Sequence, residues 1–419
     1  MPHFRNFLQN RDFSFLWIAQ VISQFGDRLD QMALIALVFK MSPGSTLGLA
    51  KLFAITILPV FLIGPIAGIY VDRWDRRRTM YISDFLRAIL IFLIPTFFIN
   101  GKSKAPIYIV VFLSFCLSRF FVPAKMSIIP DLVAKEDLLM ANSLVNITGM
   151  VAAAVGLGIG GVIVEIIGVK GGFYIDALTF LISAILIFFV SVRKIPPVKP
   201  KQVIQMGKEI AEVIKRSLCD EIKEMLRFLK KEQHIGYILN FLFFLWALLG
   251  SSYVVAIVFI QKVFSSAVKD LGLLSISLGM GLLFGSLMYG KFGKIISYLK
   301  AIYISLILSG IVLITFCVMS KNYADFMLSA VLSFILGLVL SPIMIAANTI
   351  IHELTQSDMR GRIFSSLEII LHLAFLIFMF VASFLADRIG SYYILVGIGV
   401  ILVTGGIFEF IRKKDVNFI

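Results

Sequence analysis

The chain has 419 residues, of which 59% are hydrophobic, 13% aromatic and 15% charged, and its mean hydropathy is +0.96. Soluble domains carry ~25% charged residues, so these numbers exclude a soluble globular fold, a disordered chain and a nucleic-acid module. The three cysteines, Cys116, Cys219 and Cys317, are too few and too scattered for a disulfide framework or a thiolate metal site. The formal charge of +14 needs no polyanionic partner, because membrane proteins concentrate Lys and Arg in their cytoplasmic loops.

About twenty apolar helical residues cross a ~30 Å hydrocarbon core. Stretches of this kind lie at 13–39, 45–71, 79–99, 105–124, 138–167, 171–192, 235–260, 267–290, 299–319, 324–351, 360–386 and 391–411. They predict an all-α membrane protein with twelve transmembrane helices. The first stretch follows a polar start and lacks a small-residue cleavage site, so it reads as a span and not as a signal peptide. With the N-terminus inside, the inner loops and tails collect most of the Lys and Arg, which predicts cytoplasmic termini in a cell (inner or plasma) membrane.

The longest loop, 193–232, carries eleven Lys and Arg. Within it Ile210, Val213, Ile214, Leu218, Ile222, Met225, Leu226 and Leu229 recur at three- and four-residue steps, the pattern of an amphipathic helix on the inner surface. An offset of 222 residues aligns Ile129-Pro130-Asp131-Leu132 with Ile351-His352-Glu353-Leu354, Glu165-Ile166-Ile167-Gly168 with Asp387-Arg388-Ile389-Gly390, and Gly68 with Gly290. The expected organisation is therefore a six-helix bundle over 1–192, the linker 193–232 and a related bundle over 233–419, the layout of a carrier whose halves rock around a central site.

After the second span the chain reads Gly68-Ile69-Tyr70-Val71-Asp72-Arg73-Trp74-Asp75-Arg76-Arg77. This resembles the loop 2–3 motif of the major facilitator superfamily, G-x-x-x-D-R/K-x-G-R/K-R/K, with Asp75 in place of the second glycine. The resemblance implies that Gly68 lets helices approach, and that Asp72, Arg73, Arg76 and Arg77 tie the two halves together on the cytoplasmic side. Phe121-Val122-Pro123-Ala124-Lys125-Met126-Ser127-Ile128-Ile129-Pro130-Asp131-Leu132-Val133, then Ala141-Asn142-Ser143-Leu144, Gly160-Gly161 and Asp176-Ala177-Leu178-Thr179-Phe180-Leu181-Ile182-Ser183-Ala184, look like the branch containing macrolide-type and enterobactin-type exporters. Gly156-Leu157-Gly158-Ile159-Gly160-Gly161 resembles the end of the antiporter motif G-P-x-x-G-G, with Leu157 for the proline. The same six residues match G-x-G-x-x-G, but inside an apolar helix Gly156, Gly160 and Gly161 read as a helix-packing motif, not a nucleotide loop.

A carboxylate in a span costs about 2.5–3.5 kcal/mol on insertion scales and marks a wet cavity or a partner. Span one holds Asp27, Arg28 and Asp30 near its midpoint, and Gln20, Gln24, Asp27 and Gln31 share one helical face. This stripe predicts cavity lining, with Asp27 carrying a coupling proton helped by Asp30. An internal Asp–Arg pair that only fixes packing is the competing reading. Glu368 and His372, four apart in span eleven, form a second candidate pair. Asp84 and Arg87 read as a local structural pair. Arg119 and Lys125 read as interface residues, and Lys51, Glu165 and Asp176 as an outer gate.

The expected function is secondary active transport: proton-coupled efflux of a small amphiphilic, drug- or siderophore-like molecule by alternating access. No enzyme activity, metal or cofactor is expected beyond H+ as coupling ion. The expected partners are the small-molecule substrate and the lipid bilayer, without nucleic acid, and the resemblance implies a monomer. Two other cargoes stay open. Ser23-Gln24-Phe25-Gly26-Asp27-Arg28 is similar to ferroportin-type iron exporters around Gly-Asp-Arg, and lysophospholipid carriers share the fold. A non-transporting sensor or scaffold is the alternative from another class.

One consequence is directly measurable. Cys219 is expected to resist an impermeant thiol reagent in intact cells and to react after permeabilisation; labelling without permeabilisation would reverse the topology.

Overall fold

The computed structural model describes residues 10–71, 73–101, 103–191, 233–293, 297–354 and 360–412; within its helices, the side chains of 65, 68, 69, 233–240, 292, 347, 348, 350–369 and 412 are not among those described. The described residues are helical almost throughout. In the first half run α1 (Arg11–Met41), α2 (Thr46–Leu62), α3 (Gly64–Val71), α4 (Arg76–Leu93), α5 (Ala105–Leu132), α6 (Leu138–Val151) and α7 (Leu157–Phe188). The second half holds α8 (Gln233–Phe264), α9 (Lys269–Phe292), α10 (Tyr298–Tyr323), α11 (Phe326–Leu354), α12 (Arg360–Ile389) and α13 (Ser391–Arg412). The predicted linker helix in 193–232, with Cys219, lies outside the described residues, as does Asp72.

Nine stretches among the described residues are long and apolar enough to cross a membrane. One of them, Lys135–Phe188, has 54 residues, about 80 Å of helix at ~1.5 Å per residue, far more than one crossing requires. It divides at Gly168, whose φ of 76° breaks the helix. Positive φ is readily available to glycine and strained for other residues, so Gly168 sets the turn between spans five and six. Its repeat partner Gly390 also has positive φ, 100°, between α12 and α13. The 222-residue offset likewise matches the start of α4 with that of α10. Two further predicted spans are less plainly apolar crossings: α1 carries Asp27, Arg28 and Asp30, and α2 has only 17 residues.

Two π-turns shift the helical register, Ile94–Phe98 at the end of α4 and Ala152–Gly156 between α6 and α7. Asp75 sits where the family motif has glycine, and it caps α4: its Oδ1 accepts from the Arg78 amide at 2.9 Å. The departure replaces a tight turn by an N-cap, which satisfies one orphan amide of the helix start.

The chain divides into two compact units, Met1–Leu37 with Lys51–Ser217, and Val38–Ala50 with Leu218–Ile419. The first has an apolar core at one end that includes Phe13, Leu16, Met80, Phe121, Ile128 and Ile187. The second has a core around Ile302, Tyr303, Leu306, Ile343 and Ala346. The segment Val38–Ala50 lies in the second unit, although the predicted division put it in the first bundle, and Asp387 supplies a physical reason. Its carboxylate accepts from the backbone amides of Thr46 at 2.6 Å and Leu47 at 3.2 Å, and from Ser45 Oγ at 3.1 Å, with Thr46 Oγ1 2.5 Å away. A carboxylate at a helix start satisfies orphan N–H groups and complements the helix dipole.

Asp387→Ala is expected to lower the stability of the detergent-purified protein by about 1 kcal/mol, the usual cost of a lost N-cap. Asp387→Asn keeps an oxygen acceptor and should lose less. Identical thermal midpoints for all three proteins would deny the cap any energetic role.

Candidate functional site: a carboxylate cluster around Arg87

The polar positions of α1 separate into two kinds. Toward its start the helix is seamed to α6: Trp17 Nε1 donates to Thr148 Oγ1 at 2.9 Å, and Gln20 Nε2 donates to the Val145 carbonyl at 3.2 Å. Gln24 lies beside Gly149, where an added Cβ would meet its Oε1 at 3.4 Å. Gln20 is buried, so the first part of the predicted cavity-lining stripe is a packing seam. Further along, an added Cβ on Gly156 would stand 3.1 Å from Arg28 Cγ, and one on Gly160 3.3 Å from Leu29 Cα. Gly161 is buried in the same helix. The glycines thus admit α1 closely against α7, and Arg28 donates to Gln31 Oε1 at 3.2 Å instead of pairing with Asp27.

Asp27 has a different partner. Arg87 Nη2 on α4 reaches its Oδ1 at 2.6 Å, and Arg87 Nη1 lies 3.7 Å from Asp84 Oδ1. The predicted local Asp84–Arg87 pair is therefore one arm of a bridge between two helices. The Arg87 side chain is 6% exposed and Asp84 fully buried, whereas 41% of the Asp27 side chain stays accessible. The guanidinium also stacks 3.8 Å above the Phe180 ring and lies 3.5 Å from Ser114 Oγ. Ser183 Oγ donates to Asp84 Oδ2 at 2.6 Å. A buried cation between carboxylates, with an aromatic face for its apolar side, is a site where Arg suits better than Lys.

Asp176 belongs here and not to an outer gate. It is fully buried on α7, within electrostatic range of Asp30, Asp27 and Arg87. Gly26 brings it close: an added Cβ there would fall 1.9 Å from Thr179 Oγ1 and 2.4 Å from Asp176 Oδ1. Glu165 and Lys51, the other two residues of the expected gate, are exposed. Lys125 turns inward as well, within electrostatic range of Asp27 and Asp84, so it does more than reach for the membrane interface. Sequence reasoning missed Arg87, Asp84, Asp176 and Lys125 as companions of Asp27. The signal was the set of charges in apolar spans, but spacing along one helix cannot show a partner on another.

The predicted cytoplasmic arginines act inside the first unit. Arg76 donates to the Ser127 carbonyl at 2.8 Å and to Asp131 Oδ2 at 2.6 Å. Arg77 donates to the Phe188 carbonyl and stacks on the Phe188 ring. These contacts join α4 to the ends of α5 and α7 within the first unit. Arg73 is described and partly buried. Gly68 lies within α3.

In the second unit His372 on α12 packs against Trp246, ring centroids 5.3 Å apart, and Trp246 and Tyr253 both face Phe375. The side chain of Glu368, its proposed partner, lies outside the described residues. A cavity of about 250 Å³ in this unit is lined by Met288, Tyr289, Ile304, Ser305, Leu338 and Pro342 among others, with no charged side chain. Among the described residues no three His, Cys, Asp or Glu side chains are arranged to hold a metal ion.

Paired bundles of membrane-crossing helices, related by an internal repeat, with charges buried at membrane depth, define a secondary-transporter architecture. The chain belongs to the Major Facilitator Superfamily, whose family model matches residues 16–265 and 239–416. It is a multi-pass membrane transporter of small molecules and not an enzyme. Over 418 residues it is 26% identical to the uncharacterized MFS-type transporter YfiS of Bacillus subtilis, covering 99% of this chain and 95% of that protein. It is 24% identical over 423 residues to macrolide efflux protein A of Streptococcus pyogenes, covering 96% and 97%. A crystal structure of a bacterial homologue of the iron transporter ferroportin in an inward-facing state superposes with a TM-score of 0.69 at 16% identity, covering 95% and 98%. That likeness establishes the fold, and its cargo stays with that protein.

Arg87→Ala is expected to destabilise the purified protein by about 3–5 kcal/mol, because it strands buried carboxylates without their cation. Adding Asp27→Asn and Asp84→Asn should recover part of the loss. A thermal midpoint unchanged by Arg87→Ala would mean that the bridge does not hold the bundle.

Proposed function

We propose that this transporter is a proton-coupled efflux carrier for a small amphiphilic molecule, working by alternating access as a monomer in the plasma membrane with both termini cytoplasmic. The observation that carries the reading is the cluster of Asp27, Asp30, Asp84 and Asp176 around the single guanidinium of Arg87. Carboxylates exceed nearby cations even when Lys125 is counted, and a buried excess of negative charge is costly unless it is neutralised. Protons neutralise it, and their release as the cluster changes its access to water couples cargo movement to the pH gradient. Asp27, ion-paired yet accessible, is the member placed to meet water first.

Export as the direction rests on the similarity to macrolide efflux protein A and on the glycine seam resembling the antiporter motif. The aromatic group Trp246, Tyr253 and Phe375, with His372, offers the kind of surface an amphiphile binds.

Reconstituted protein in liposomes is expected to move a macrolide such as erythromycin, or a second amphiphile from a thermal-shift screen, faster under an imposed pH gradient than without one. Collapsing the gradient with a protonophore should return the flux to its passive level. Flux indifferent to the gradient, with transport intact, would remove proton coupling from the reading.

A further inference from the structure

Two of the four carboxyls in the cluster have their charge met. Asp27 holds Arg87 at 2.6 Å, and Asp84 accepts from Ser183 at one oxygen while the other, without a hydrogen bond among the described residues, lies at ion-pair distance, 3.7 Å, from the second Arg87 nitrogen. The remaining two do not. Asp30 is 6% exposed and its Oδ1 has no hydrogen-bond partner among the described residues. Asp176 is 0% exposed and its Oδ2 has none either. Its other oxygen has only Thr179 Oγ1, at 3.3 Å, and that hydroxyl lies closer, 2.7 Å, to the Asp176 carbonyl.

We propose that Asp30 and Asp176 are the proton-binding pair of this carrier, one proton being held between α1 and α7, while Asp27 serves as the fixed partner of Arg87. The inference rests on the proton-coupled reading above and changes which residues perform it. Two like charges on facing helices in an apolar interior cannot both stay ionised cheaply. One bound proton leaves one negative charge on the pair and supplies an O–H donor for an oxygen that otherwise has none. Gly26 makes the arrangement available, because no side chain stands between the α1 backbone and Asp176.

The pair also has a route to the rest of the bundle. Arg87 lies within electrostatic range of Asp30 and Asp176 as well as bonding Asp27. When the proton leaves for water, the second negative charge competes with Asp27 and Asp84 for the same guanidinium. The bridge between α1 and α4 then loosens on deprotonation and tightens on protonation. The charged groups around the pair are Asp27 and Arg28 on α1, Asp84 and Arg87 on α4, and Lys125 on α5. Of these, Arg87 is the cation in range of both members of the pair.

A hydrophobic carbodiimide adds protonated carboxyls in apolar surroundings across its N=C bond, giving an acylurea that mass spectrometry locates. The detergent-purified full chain treated with dicyclohexylcarbodiimide at neutral pH is expected to carry the adduct on Asp30 or Asp176, and to lose it as the pH is made alkaline. Adducts confined to Asp27 or Asp84, or absent from all four, would overturn the assignment. Liposome flux of erythromycin separates this outcome from the parent reading. Asp30→Asn and Asp176→Asn should each lower gradient-driven flux by about tenfold or more, a factor equivalent to about 1.36 kcal/mol of coupling, while the exposed control Glu165→Gln keeps it. Wild-type flux that ignores the gradient sinks the proton-coupled reading itself. Wild-type flux that follows it, with both Asn variants fully active, sinks only the pair. Should the Asn variants fail to fold, the wild-type adduct map still decides.

Discussion

The Arg87 guanidinium, buried between carboxylates on two helices, is the interaction on which the first bundle's polar interior depends. A lone charge at that depth would not survive in an apolar medium, and a lone pair would do little more than hold its place. Here the cation is shared: Asp27 on α1 and Asp84 on α4 take its nitrogens, and Phe180 on α7 takes its face. Three helices are thereby referred to one group. Changes in the charge of any neighbour are felt through Arg87 by the others, which is the physical requirement for a coupled site.

Close helix approach makes the sharing geometrically feasible. The side chains that matter are short, and a carboxylate on α7 can join a cluster centred on α4 only if α1 lies low against it. Gly26 removes the Cβ that would collide with Thr179 and Asp176, and Gly156 and Gly160 do the same along the Arg28–Leu29 stretch. In a membrane, where lipid tails compete equally well for apolar surface, small residues at such crossings are what lets helices associate tightly. The packing motif and the charged site are thus one construction seen from two helices.

Much of the fold was legible in the sequence, because a span announces itself by length and apolarity. Even α1, with Asp27, Arg28 and Asp30 in its middle, was readable from the apolar residues that flank them. The repeat was legible too, and Gly168 and Gly390 give it a backbone meaning in their shared positive φ. The site was only half legible. Asp27 and Asp30 stood out as costly charges, but Arg87 looked settled by its three-residue spacing from Asp84, and its shorter bond goes to a residue sixty positions away. Asp176 was assigned to the outer end of its span, whereas the structure buries it beside α1. The motif names Arg76 and Arg77 by residue type alone and could not show their acceptors within the first unit, Asp131 and the Ser127 and Phe188 carbonyls, which follow from the local packing of α4.

The internal repeat supplies a control for what the charges are for. The 222-residue offset carries Asp27, Asp30, Asp84, Arg87 and Asp176 onto Leu249, Ser252, Leu306, Ser309 and Ile398. Leu306 and Ser309 are buried just as Asp84 and Arg87 are. The second bundle therefore builds the same succession of helices, with the same glycine turn, from neutral residues at all five positions. Folding a six-helix bundle of this design does not call for the cluster. Buried ion pairs are in any case an inefficient way to gain stability compared with well-packed apolar residues, and the second bundle illustrates the cheaper solution. Four carboxylates and one guanidinium kept in only one of two equivalent frameworks are not explained by folding alone, which favours the proposed role of the cluster, since carboxylates at membrane depth are groups that can bind and release protons.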